Sequence, residues 1–219
     1  MRGAWLVAAR ELRADARHPD GFATAITFVG ALVLIESIVV GPQVARETTV
    51  APALYWIALL FAAIVVTTRS FDRELADDAI DAVLALPGGP DALYAGKLIA
   101  LAATLAAVGL VGGVLQIALL DLHVKLLGHA LVAVALGVVA LPAVVILDVA
   151  LTLRLRARAA LVPILAVPVL LPQLVAATNA VGLALSGDAG GSLAWSGLLL
   201  AIALVHAVLG LTIAGTAIE

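Results

Sequence analysis

Few residues in this chain have the chemistry for a reaction, and their spacing limits what it could be. Glu36 and Asp148 each stand in a long run without other charges. A carboxylate there could serve ion coupling, or it could reach the membrane interface or serve helix packing. His18, His123, His129 and His206 could ligate a metal singly, but no two of them share a ligand-pair spacing. Gly96-Lys97 resembles the end of a phosphate-cradling loop, G-x-x-x-x-G-K-[ST]. The earlier glycine position is Asp91, however, and Leu98 follows the lysine, so the match fails. There is no cysteine, which excludes disulfides, thiolate metal sites and a Cys nucleophile. No paired carboxylates, His cluster or Ser/His arrangement recurs at helical spacing, and an enzyme is the least favoured reading.

The elements that must hold these residues follow from composition. The 219 residues are 64% hydrophobic and 12% charged, against roughly 25% charged in a soluble domain. The few charges fall in short clusters between long uncharged runs, a pattern that calls for lipid around the chain. A net charge of −3 gives no electrostatic footprint for nucleic acid. A helix crossing about 30 Å of hydrocarbon needs roughly 20 apolar residues. Six stretches qualify, near 21–41, 50–68, 96–120, 129–151, 159–181 and 192–218. Basic residues concentrate on the cytoplasmic side of membrane proteins. Arg2, Arg10, Arg13, Arg17, Arg69, Arg73, Lys97, Arg154, Arg156 and Arg158 fall on one side of these spans, and only Arg46 and Lys125 on the other. The expected fold is an all-α integral membrane protein of the cytoplasmic membrane, multi-pass, with six transmembrane helices and both termini in the cytoplasm.

The first twenty residues have too many charges for a signal peptide, and no cleavage is expected. Trp5, Ala8, Ala9, Leu12 and Ala16 recur at helical spacing with the arginines mostly off that stripe. Residues 1–20 are therefore expected to form an amphipathic interfacial helix, its arginines toward lipid phosphates. Residues 69–95 form the one long polar insertion and hold six of the fifteen acids: Asp72, Glu74, Asp77, Asp78, Asp81 and Asp91. Phe71, Leu75, Ala79, Val83 and Leu84 repeat at three- and four-residue spacing, which predicts a short amphipathic helix over 71–87, stopped by Pro87-Gly88-Gly89-Pro90. Such a helix is either a docking surface for a soluble partner or a solvated connector. Pro163, Pro168 and Pro172 crowd the fifth span, and each removes a helix hydrogen bond. A bent or locally opened helix is expected, with Gln173 and Asn179 able to satisfy freed backbone or line a cavity. The alternative is a set of kinks that only adjusts packing. The G-x-x-x-G spacing from Gly109 to Gly113 suits close helix approach.

Arg73-Glu74-Leu75, then Asp81, Leu84, Leu86-Pro87, Tyr94 and Gly96-Lys97, resemble the cytoplasmic loop of type-2 ABC exporter permeases, with Ala79 to Asp81 in place of a glycine-containing step. Within that group the chain is most similar to the membrane subunit of cytochrome c maturation transporters. Arg10-Glu11-Leu12, Leu54-Tyr55-Trp56-Ile57-Ala58, Phe71-Asp72-Arg73-Glu74, Leu86-Pro87, and Arg158 followed by Leu165 to Pro168 and Pro172 carry the likeness. The resemblance implies a half-transporter that works with a separate ABC ATPase subunit, a second permease half, haem-handling membrane proteins and an extracytoplasmic haem chaperone. ATP would then act through the partner subunit, and haem would be a candidate substrate. The ATPase-coupling residues would be Phe71, Arg73, Glu74, Asp81, Leu84 and Pro87. His123 and His129, in or beside an outer loop, are the histidines to weigh as haem ligands. Two rivals remain: a type-2 permease for a drug, lipid or polysaccharide, and a non-transporting membrane scaffold.

Overall fold

The computed structural model describes residues 2–46, 49–76, 89–152 and 158–218. Among them the secondary structure is helical throughout: α1 (Arg2–Arg17), α2 (Asp20–Val39), α3 (Gly41–Ala45), α4 (Val50–Ala76), α5 (Gly89–Leu120), α6 (Leu127–Thr152), α7 (Arg158–Ser186) and α8 (Ala189–Ile218). The stretches that carry α2 and α4 to α8 are long and apolar enough to cross a membrane. They coincide with the six runs expected from sequence, because in each case the uncharged segment has room for the full ladder of backbone hydrogen bonds that lipid demands.

Helix ends follow local chemistry. Gly187, at a φ of 95°, closes α7, and the N–H groups of Gly187 and Asp188 both bond to the Leu183 carbonyl at 3.0 and 2.9 Å. This double bond to one carbonyl satisfies the last turn, and glycine adopts the left-handed conformation it requires at no steric cost. The Asp188 carboxylate then accepts from Gly191 N–H at 2.9 Å, capping α8.

Two groups of helices make up the bundle. α2, α4 and α5 pack on one another, with α1 against α5; α6, α7 and α8 form the second group. α4 and α6 are central, with 67% of their apolar stretches buried against 22% for α2 and α8 at the rim. Trp56 of α4 is fully buried with its ring on Gly137 of α6, where any Cβ would overlap it. Tyr94 of α5 lies with its hydroxyl 3.1 Å from the carbonyls of both Ala143 (α6) and His206 (α8). These two aromatic side chains join the groups. The glycines at 109 and 112 serve close approach, the first under Tyr55 and Leu59 of α4, the second under Val29 of α2.

Two sequence expectations change here. The polar insertion is shorter than 69–95: residues 69–76 extend α4 without a break, and 89–95 already belong to α5. Charge at those positions does not end the helices: Arg73 and Glu74 are paired, as described below, and Asp91 stands in the first turn of α5, where an acid suits the helix dipole. The expected helix over 71–87 is thus helical over 71–76 as part of α4, while Asp81, Leu84 and Pro87 lie outside the described residues. Nor does α7 open at its prolines, since one helix runs through Pro163, Pro168 and Pro172 from Arg158 to Ser186.

Candidate functional site: an ion cluster across three helices

α1 runs beside the first half of α5 in the same direction. A Cβ at Gly3 would lie 3.2 Å from Ala92 Cβ, Gly96 faces Val7 and the Ala4 carbonyl, and Asp15 reaches Thr104 at 3.5 Å. At Gly96 any side chain would collide with α1, so the missing Cβ is what lets the two helices touch. The buried face of α1 carries Ala8 and Glu11, with Ala4, Val7 and Asp15 half-buried beside them. This differs from the expected lipid stripe: Ala8 is buried in the bundle, while Trp5 is 65% exposed.

Glu11 meets the end of α4 and the start of α5. Lys97 of α5, with no exposed surface, donates to Ser70 Oγ at 2.7 Å and lies 4.4 Å above the centre of the Phe71 ring. Its ammonium is 3.5 Å from Glu11 Oε1 and 3.3 Å from Glu74 Oε2. Ser70 in turn donates to Glu11 Oε2 at 2.9 Å. Arg10 pairs with both Glu74 and Glu11, and Arg73 donates to Asp15 Oδ1 at 2.7 Å and reaches Glu11 Oε2 at 3.5 Å. Three cations, Arg10, Arg73 and Lys97, therefore balance three carboxylates, Glu11, Asp15 and Glu74. Burial alone pushes the Glu11 carboxyl up, but Lys97 and the hydrogen bonds from Ser70 and Arg10 outweigh it and hold the group below its ordinary value.

Of the residues singled out for coupling, the fold brings Phe71, Arg73 and Glu74 together, with Phe71 and Glu74 buried and Arg73 half-buried. The inward partners Glu11, Asp15, Ser70 and Lys97 were not in that set. The cluster ties α1, α4 and α5 together at the two helix ends that flank residues 77–88.

The other candidates are dispersed. Glu36 is buried near the opposite ends of these helices and accepts from Gln116 Nε2 at 2.9 and 3.2 Å, while the same amide donates to the Ala51 carbonyl at 2.8 Å. That arrangement joins α2, α5 and α4 and fits the packing reading. Asp148 is buried on α6, with Oδ2 lacking a hydrogen-bond partner among the described residues. Gln173 donates to the Gly137 carbonyl of α6 at 3.4 Å and Asn179 to Val175 at 2.8 Å, so neither bonds to a carbonyl that the prolines of α7 free. His123 is exposed and His129 half-buried. Among the described residues no group of three His, Cys, Asp or Glu could hold a metal ion.

Comparison with known proteins agrees with the likeness read from the motifs. Heme exporter protein B of Pseudomonas aeruginosa is 27% identical over 202 residues, which is 91% of this chain and 90% of that protein. The sequence profile of the family described as CcmB protein matches residues 2–219. The match takes in nearly the whole chain, which is a multi-pass membrane protein belonging to the CcmB family.

Proposed function

We propose that this chain is the membrane permease subunit of an ABC transporter acting in cytochrome c maturation. It couples ATP hydrolysis by a separate ATPase subunit to haem delivery, or to release of the haem-loaded chaperone outside the membrane. The observation that carries the reading is the family match over residues 2–219, beside a relative named as a heme exporter over nine-tenths of both chains. The distribution of Arg and Lys supports cytoplasmic termini in the cytoplasmic membrane, on the side where an ATPase would find its fuel. Residues 77–88 then face the ATPase, with Asp81, Leu84 and Pro87 among the contacts.

The ion cluster gives this coupling a mechanical basis. A displacement of 77–88 pulls on the end of α4 and the start of α5 together, and through Glu11 it also moves α1. Because the charges are mutually neutralised, shifting any one helix alone would strand a buried charge, a costly outcome. The three helices therefore move as a body. A second permease half, haem-handling membrane proteins and the haem chaperone complete the assembly.

The test is haem staining of covalently attached c-type cytochromes in a strain lacking the gene, with and without its restoration. Loss of staining rescued by this chain is expected. Unchanged cytochromes would refute the maturation role and favour a type-2 permease for another substrate.

A further inference from the structure

Gly109 and Gly112 lie hard against α4 and α2, but Gly113 does not share their close approach. A Cβ there would meet only Tyr55, at 3.7 and 3.9 Å, an ordinary contact. The space left by the missing side chain belongs to an apolar groove of about 240 Å³ between α5 and α6. Leu110 and Val114 of α5 form one bank and Leu127 and Leu131 of α6 the other, each between 57% and 66% exposed. Tyr55 of α4 lies at the floor and is itself buried, held by the hydrogen bond from its hydroxyl to the Gly109 carbonyl at 3.1 Å. The end of the groove is roofed by the α5–α6 connection. There Leu122 and Val124 are half-buried and line the groove, while His123 and Lys125 are exposed. The roof is tied down at both ends. Leu122 N–H bonds to the Ile117 carbonyl at 3.2 Å, Leu126 N–H to the Ala184 carbonyl at 3.1 Å, and the Lys125 ammonium to the Ser186 carbonyl at 3.0 Å.

The groove is therefore covered at the helix ends, where water would enter, and open along the flank of two membrane spans, where hydrocarbon lies. Its lining follows α5 from Gly109 to Ile117, about 12 Å at 1.5 Å per residue. A volume of about 240 Å³ over that length leaves a width of about 5 Å, half the diameter of a helix. A single hydrocarbon chain fits; a partner's helix does not. We propose that the groove holds one acyl chain of a membrane phospholipid, lying over Gly113 with Tyr55 beneath it. Moving hydrocarbon from the bilayer into an apolar groove gains nothing by transfer from water. What retains the chain is dispersion contact with fixed walls on several sides, the term that governs packing within membranes. Its banks belong to different helix groups, so the chain fills the seam between them. The inference requires that the protein span a membrane; it holds in either orientation and without the maturation role.

The full chain is reconstituted in phosphatidylethanolamine–phosphatidylglycerol vesicles in which the phosphatidylethanolamine carries a diazirine midway along one acyl chain. After irradiation, adducts are mapped by mass spectrometry. Leu204 of α8, exposed on the rim of the bundle, reports ordinary contact with the bilayer. Tyr55 can be reached by a chain only through the groove. Adducts are expected on both residues in the wild type. Gly113→Leu fills the groove from within, and Leu110→Trp bars its mouth from a position that bears little packing. Each variant is expected to lose the Tyr55 adduct, keep the Leu204 adduct and elute as the wild type does on size-exclusion chromatography; if Gly113→Leu does not fold, Leu110→Trp carries the test alone. A wild type labelled at Leu204 but not at Tyr55 would overturn the proposal, and so would Tyr55 labelling that persists in the folded variants. Because no haem or ATPase is present, failure here is separate from failure of the maturation role.

Discussion

Lys97 is a buried ammonium between two carboxylates, so its removal should do more harm than the loss of any exposed charge in the chain. Lys97→Met keeps most of the volume but leaves Glu11 and Glu74 facing each other; a loss of about 3–5 kcal/mol is expected, read as a lowered thermal midpoint of the purified protein. The same cluster has a pH signature. Glu11 ionises below its ordinary value of 4.5, so its stabilisation is complete above that value and is lost only as the pH falls through the lowered one. The thermal midpoint of the purified protein should therefore fall as the pH drops through that lowered value. At the other end of the bundle, Glu36→Gln should assemble normally, since an amide oxygen can still accept from Gln116. Gln116→Leu should cost about 1–3 kcal/mol by leaving the buried carboxylate without its donor. Lys97 and Glu74 were visible in the sequence as parts of a loop pattern. Glu11 was not recognisable as their partner, because 59 residues separate it from Ser70 and 62 from Arg73; amphipathic periodicity says only that α1 has two faces, not which one packs.

At the scale of elements, α1 depends on the absence of a side chain at residue 96. Gly96→Leu should push α1 from α5 while leaving the six long helices in place. The chain has no cysteine of its own, so Gly3→Cys with Ala92→Cys reports the docking directly: their Cβ atoms would be close enough to bridge with modest adjustment. The bridge is expected in the otherwise native chain and absent when Gly96→Leu is added. In α7, the helix continues through its prolines and neither Gln173 nor Asn179 tends the freed carbonyls. Pro168→Ala/Pro172→Ala is therefore expected to assemble with undiminished yield by size-exclusion chromatography; a collapse of yield would restore a specific role for the kinks. Span positions were legible because charge ends an apolar run. The true lengths of α4 and α5 were not, because Arg73 and Glu74 have the look of loop residues until their tertiary partners are known, and Asp91 until it is seen to stand in the first turn of α5.

For the whole molecule, the two helix groups meet through Trp56 on Gly137 and through Tyr94 between α6 and α8, and under the proposed function motion of α1, α4 and α5 would reach the second group through these contacts. The segment 77–88 is where force would enter and the ion cluster is where it would be shared among helices. The most direct test reverses the charges of Arg73 and Glu74. In Arg73→Glu/Glu74→Arg, an acid faces Asp15 and Glu11 while an arginine faces Arg10 and Lys97, so every pair made by these two positions becomes repulsive. Haem-stained c-type cytochromes are measured in the deletion strain carrying this variant, alongside its membrane level and its co-purification with the ATPase subunit. The expected result is a variant present in the membrane and bound to the ATPase, with cytochrome staining lost. Normal staining from a normally assembled variant would contradict the role of the cluster in coupling.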